Sequence, residues 1–73
     1  MNDNREEIVR FCEWFRRWYK ATPCDGMAGL DRRAKRIFYT SGYGATLSHS
    51  DMKILNHVKT EYPQVWVAWR MSQ

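Results

Sequence analysis

The first twenty residues restrict the fold more than any other segment, because their apolar side chains recur at helical spacing. At 100° per residue these side chains fall within about 120° of one another: Ile8, Phe11, Cys12, Phe15, Trp18 and Tyr19. Asp3 or Asn4, with an acidic residue three positions later, has the spacing of a capping box. Pro23 disfavours helical geometry in the residue before it. The sequence therefore predicts an amphipathic helix over residues 4–20.

A second helix is predicted to begin between Asp25 and Asp31, after a turn-rich connector. Its apolar residues share one helical face: Met27, Leu30, Ala34, Ile37 and Phe38. The glycine-containing segment that follows is predicted to be a connector. A short hairpin through Phe38–Thr40 and Ala45–Leu47 is an alternative for it.

A third helix is predicted after Ser48 or Ser50, since either hydroxyl can cap its first turn. Its inner face is predicted to consist of Leu55, Val58 and Tyr62. Three more residues are predicted to lie beside that face: Met52, Ile54 and Lys59. The tail, residues 64–73, alternates apolar residues as a strand would. We interpret it as a short helix with Pro63 at the first helical position.

The size of the chain limits its core. A chain of 73 residues buries only about 60% of its unfolded surface, so large side chains must fill a small interior. Four Trp, four Tyr and three Phe meet that need. The sequence predicts a single domain over residues 1–73, mainly α, with three to four helices. So small a core leaves little room for a substrate cavity of roughly 300 Å³ or more.

No catalytic or metal-binding constellation is evident. The candidate ligands Cys12, Cys24, His49 and His57 are separated by eleven, twenty-four and seven residues, whereas zinc modules place about two to five residues between paired ligands. Cys24 lies beside Asp25, whose negative charge would raise the pKa of the thiol and oppose its activation. We therefore expect a non-enzymatic protein without metal or cofactor.

The N-terminus is polar and mixed in charge, unlike a signal peptide. No apolar run approaches the roughly 18 residues of a membrane span. These features lead us to expect a cytoplasmic protein with no membrane partner, whose Cys12 and Cys24 are reduced.

The segment DRRAKRIF, at residues 31–38, concentrates positive charge in a chain of net charge +4. Its cations are predicted to lie around the exposed circumference of the second helix: Arg32, Arg33, Lys35 and Arg36. Three interpretations of these cations are open. They are a solvated helix face, they contact the phosphates of nucleic acid, or they contact an acidic protein surface. Tyr39 and Tyr43 lie close to this segment in the sequence, so their rings could stack on the bases of a nucleic acid bound there. A helix-turn-helix is not expected, since the connector before Ser50 is too long.

Aromatic residues are the other notable surplus. Trp14 lies at the margin of the first helical stripe, and Trp66 and Trp69 lie near the end of the chain. Tryptophans exposed beside arginines would have the composition of a protein-binding hot spot. The alternative is that all of them pack in the core.

The opening segment MNDNREEIVRFCEWFRRWYK, the length, the charge and the lack of a catalytic or zinc constellation together resemble one class of proteins. They are the small transcription regulators of lytic phages, of the Xanthomonas-phage type, which bind bacterial RNA polymerase. The resemblance implies docking on the large polymerase subunits beside the RNA exit channel, close to nascent RNA or DNA. It also implies displacement of the sigma factor, inhibition of initiation, and antitermination.

Exposure on the first helix, rather than the resemblance, indicates which residues bind the protein partner: Asn4, Arg5, Glu6, Arg10, Trp14 and Arg17. The residues predicted to face nucleic acid are Arg32, Arg33, Lys35 and Arg36. The expected host is a bacterial cell, and the expected state is a monomer. Two alternatives remain open: a small basic nucleic-acid-binding domain, or a phage anti-defence inhibitor that acts by protein–protein binding.

Overall fold

A computed structural model describes residues 5–73, and helices joined by short connectors make up this part of the chain. Their bounds are α1 Arg5–Ala21, α2 Ala28–Gly42, α3 His49–Met52, α4 Ile54–Glu61 and α5 Pro63–Met71. The mainly α fold class is confirmed. Five helices replace the predicted three to four, because the predicted third helix is divided and its first part is a single turn. The predicted cap at Asp3 or Asn4 lies outside the described residues.

Helices α1 and α2 pack against each other in antiparallel orientation. At one end, the guanidinium of Arg5 donates to the carbonyl of Ala45, beyond the end of α2, at 3.1 Å. At the other end, Tyr19 and Lys20 lie beside Asp31 in the first turn of α2. The buried residues of the two helices all belong to the predicted apolar faces: Ile8, Phe11, Cys12, Phe15, Leu30, Ala34 and Ile37. Trp18, Tyr19 and Phe38, which are predicted on the same faces, are only half-buried.

The alternative of a hairpin after α2 is wrong, because Phe38–Thr40 belongs to α2 and residues 45–47 form no strand. The helical hydrogen bonding runs on past the apolar stripe, with Tyr43 N donating to Tyr39 O and Ala45 N to Thr40 O. Gly44 then takes a φ of 77°, a conformation that glycine adopts without steric cost. The chain can therefore turn away from α2 at this point.

The predicted third helix is interrupted at Lys53, which ends α3 and precedes α4. Ser48 is the cap: its Oγ accepts from the backbone N–H of Asp51 at 3.2 Å. The interruption changes which residues point inward, so Ile54 is fully buried while Leu55 is only half-buried. The assignment of Ile54 to the flank of this helix is thus corrected.

The helical interpretation of the tail is confirmed, with Pro63 in the first turn of α5. Val65 and Trp69, four residues apart, are buried, whereas Val67 between them is 54% exposed. This is the spacing of a helix packed on one side, and the strand-like alternation is therefore coincidental.

An aromatic cluster joins α5 to α1. The ring centroid of Trp69 lies 5.4 Å from that of Phe11, nearly perpendicular, and 5.4 Å from that of Trp14. Trp14 in turn stacks on Trp18 at 5.6 Å. The indole N–H of Trp69 is buried and has no acceptor among residues 5–73. Trp69 therefore stabilises the fold by packing, and it contributes to the contact between α5 and α1.

We predict that Trp69→Ala lowers the free energy of unfolding by about 3–5 kcal/mol, since it deletes a large buried ring between two helices. Val67→Ala, on the exposed side of α5, is the matched control and should change it by less than about 0.5 kcal/mol. Urea unfolding followed by far-UV circular dichroism measures both. Equal losses for the two variants would contradict the packing described here.

Candidate protein and nucleic-acid interfaces

Three of the residues predicted to bind a protein partner line one open groove between α1 and α5. Arg10, Trp14 and Arg17 border this groove, whose volume is about 370 Å³. Its remaining lining residues are Glu13, Trp69, Ser72 and Gln73. We call it the α1–α5 groove. It places two exposed arginines beside a half-buried tryptophan.

The other described residues of that prediction lie one turn earlier on α1. Arg5, Glu6 and Arg10 border a second groove of about 390 Å³, shared with Ser41 of α2. Arg10 therefore lies at the boundary of both grooves. Arg5 also donates a hydrogen bond to the Ala45 carbonyl, so it has a structural role as well. Asn4, the remaining predicted residue, lies outside the described part of the chain.

The cations of the α1–α5 groove are available for a partner. Arg17 Nη2 lies 3.5 Å from Glu13 Oε1, and both side chains are more than half exposed. Such a surface pair contributes little stability, so a partner carboxylate can replace Glu13 at small cost. Within residues 5–73, Arg10 makes no ion pair. Arginine beside tryptophan is the residue composition of protein-binding hot spots.

The basic segment of α2 is divided into two parts by its contacts. Arg36 Nη2 donates to Oδ1 of Asp51 at 2.6 Å, and Arg33 Nη2 donates to the carbonyl of Ser50 at 2.7 Å. The Nε of Arg33 also lies 3.7 Å from Asp51 Oδ1. Because the Asp51 side chain is only 8% exposed, these two arginines neutralise a buried carboxylate and hold α3 against α2.

The other two cations of this segment remain open to solvent. Arg32 and Lys35 are exposed and make no ion pair with any residue in the range 5–73. Lys35 lines a groove of about 280 Å³ between the end of α1 and the start of α2. Its other lining residues are Arg16, Tyr19, Lys20 and Asp31. Antiparallel packing thus adds cations of α1 to those of α2.

Sequence reasoning missed Arg16 and Lys20 as members of this basic surface, since they lie on a different helix from the basic segment. The guanidinium of Arg16 lies 5.3 Å from the ring centroid of Phe38 and 5.4 Å from that of Tyr39. Tyr39 is 47% exposed and Tyr43 is 88% exposed. Only the spacing of Arg16 and Lys20, four residues apart on α1, could have marked them as one cationic edge.

Neither cysteine has the environment of a nucleophile. Both thiols are free. Burial, with repulsion from Asp51 and partial opposition from Arg33, raises the pKa of Cys12 from 9.0 to about 12. The half-buried Cys24 donates its Sγ–H to the carbonyl of Thr22 at 3.3 Å. In the described part of the chain, no group of three or more His, Cys, Asp or Glu residues could hold a metal ion.

No protein-family model matches the chain, and neither a curated protein nor a solved structure matches it. Among helices α1 to α5, none is long and apolar enough to cross a membrane.

We predict that one thiol of the native protein reacts with 5,5′-dithiobis(2-nitrobenzoate) at pH 8, and that it is Cys24. The raised pKa of Cys12 leaves very little thiolate at that pH, and its side chain is fully buried. Cys24→Ser should therefore abolish rapid labelling, and Cys12→Ser should leave it unchanged. Labelling of both thiols at one rate without denaturant would contradict the buried position of Cys12.

The same pKa predicts a loss of stability in alkali. A thiol whose folded pKa is raised stabilises the fold fully below its ordinary pKa, and this contribution is lost as the pH rises through the folded value. The loss of stability attributable to Cys12 therefore occurs between about pH 9 and pH 12. It should be absent from Cys12→Ala when urea unfolding is compared at pH 8 and pH 10.5.

We predict that Asp51→Asn lowers the free energy of unfolding by about 1–3 kcal/mol, because it removes charge-assisted hydrogen bonds at a buried oxygen. The partial exposure of Arg33 and Arg36 keeps the cost below that of an enclosed ion pair. Glu13→Gln removes the exposed pair with Arg17 and should cost less than about 0.5 kcal/mol. Urea unfolding of both variants checks this, and equal costs would refute the structural role of Asp51.

Proposed function

We propose that this protein is a non-enzymatic regulator that binds bacterial RNA polymerase through the α1–α5 groove and the adjoining exposed face of α1. The observation that supports a protein-binding role is the convergence of Arg10, Trp14 and Arg17 on one groove. The resemblance to small phage regulators, in length, charge and opening segment, supports polymerase as the partner.

The groove suits a partner surface that offers carboxylates around an apolar group. Arg10 and Arg17 can each make paired hydrogen bonds with a carboxylate. Trp14 supplies a large ring that is already held by Trp18 and Trp69, so little side-chain entropy remains to be lost on binding. Central burial of such a ring with flanking arginines concentrates binding energy in few residues.

The proposed action is steric and needs no reactive centre. In this proposal the protein docks on the large polymerase subunits beside the RNA exit channel, within the cytoplasm of a bacterial host. A protein of 31 × 22 × 19 Å bound there displaces the sigma factor and inhibits initiation. The same occupancy lets elongating polymerase read through terminators.

We predict that Arg10→Glu combined with Arg17→Glu weakens binding to purified Xanthomonas RNA polymerase at least tenfold, because the substitutions turn attraction to carboxylates into repulsion. The control is Lys53→Glu combined with Lys59→Glu, which changes the net charge equally on the α4 side. Biolayer interferometry with core enzyme measures both, after circular dichroism has shown that each variant is folded.

Two further measurements test the proposed effects on the sigma factor and on termination. Wild-type protein should release fluorescently labelled sigma factor from the holoenzyme and increase terminator read-through, and the groove variant should do neither. An intact wild-type protein that binds neither core nor holoenzyme would refute the proposed partner. Equal binding by the groove variant and the control would refute the docking surface.

A further inference from the structure

We propose that the junction of α1 and α2 binds a single strand of nucleic acid, independently of the α1–α5 groove. The proposed surface, which we call the basic seam, consists of four cations and two tyrosines: Arg16, Lys20, Arg32, Lys35, Tyr39 and Tyr43. It differs from the surface predicted from the basic segment, because Arg33 and Arg36 are engaged by α3.

Positive charge is available along the basic seam. None of the four seam cations forms an ion pair with another residue of the described chain. Asp31 is the one acidic residue that lines the groove between Lys20 and Lys35. Cations without a carboxylate partner can neutralise phosphates and release their condensed counterions. The seam therefore favours a polyanion.

Aromatic rings are exposed beside this positive charge. Tyr39 and Tyr43 are two of the four large apolar side chains that are most exposed in residues 5–73. Arg16 packs against the ring of Tyr39, which limits the freedom of both groups before a ligand arrives. Exposed tyrosines stack on unpaired bases, whereas the bases of a duplex already stack on one another. The seam therefore favours a single strand.

The cations and tyrosines of the basic seam are arranged in a row. Arg32, Lys35 and Tyr39 recur every three or four residues, so they follow one side of α2. Tyr43, four residues after Tyr39, is the C-cap of this helix. At about 1.5 Å per residue, this row is about 16 Å long, the length of four or five stacked nucleotides. Arg16 and Lys20 run beside part of it on α1. Cations flanking a row of rings form a path for a short strand.

The seam and the α1–α5 groove lie on opposite flanks of α1. Arg16 faces α2 through its contact with Phe38, whereas Trp14 faces α5 through its contact with Trp69. The two surfaces are therefore centred on different flanks, and they come nearest where Arg17 of the groove and Lys20 of the seam lie three residues apart on α1. The inference can be tested without polymerase, and its failure would leave the proposed docking surface untouched.

The test uses fluorescence anisotropy with labelled 12-nucleotide RNA, DNA of the same sequence, and the corresponding DNA duplex, at about 50 mM salt. We expect both single strands to bind more tightly than the duplex. Four neutralised phosphates predict a slope of about −3 for log K against log salt concentration. Tighter binding of RNA than of DNA would assign a role to the 2′-hydroxyl, and equal binding would assign recognition to phosphates and bases.

Lys20→Glu combined with Lys35→Glu should weaken single-strand binding about tenfold or more, because two contacts become repulsive. Lys53→Glu combined with Lys59→Glu, with the same change in net charge, should weaken it less than about threefold. Tyr39→Leu should weaken it about fivefold through lost stacking. Lys20→Gln with Lys35→Gln replaces the first variant if circular dichroism shows that the glutamates disturb α1 or α2.

The proposal is overturned if the wild-type protein binds neither single strand, or if it binds the duplex equally well. Equal weakening by the two lysine pairs would show that net charge alone attracts the strand, and would also overturn it. Unlabelled poly-glutamate is the final competitor. If it displaces RNA as effectively as poly-uridylate at equal charge concentration, the seam fits an acidic protein instead.

Discussion

The packing of α1 against α2 on one side and α5 on the other is the constraint from which the rest of the structure follows. Phe11 and Phe15 are fully buried in this packing, and a chain of this length has no second core with which to replace them. Helix α1 contributes four of the thirteen buried apolar residues of the described chain, more than any other helix. The two flanks of α1 become the edges where neighbouring helices meet, and both candidate binding surfaces lie along these edges.

The charges of α2 serve two purposes that the sequence does not separate. Arg33 and Arg36 neutralise Asp51, and this contact fixes the short α3 that would otherwise have little to hold it. Arg32 and Lys35 remain exposed. A buried carboxylate without partners would be costly, so folding requires the first pair of cations. The second pair has no such structural requirement and is available for binding.

Much of the fold could be predicted from local patterns, and the unpredicted parts have identifiable causes. The stripe from Ile8 to Phe15, and Pro63 as a helix start, are short-range signals that the structure bears out. The break at Lys53 is not encoded by a proline or glycine. It accompanies the burial of Asp51 under arginines fifteen and eighteen residues earlier, and no periodicity reports such a long-range contact. For the same reason the sequence grouped Arg33 with Arg32 and separated Arg16 from Lys35.

A protein with two binding surfaces on different flanks of one helix needs a lower affinity for nucleic acid than a domain that binds nucleic acid alone. Four cations and two tyrosines give the seam few contacts, so its affinity for a free strand is limited at physiological salt. In the proposed complex, the α1–α5 groove would hold the protein on polymerase, and nearby RNA would then act as an intramolecular ligand at an effective concentration that reaches the millimolar range. In the proposed complex, a weak seam is therefore sufficient, and strong binding to unrelated nucleic acid would only draw the protein away from polymerase.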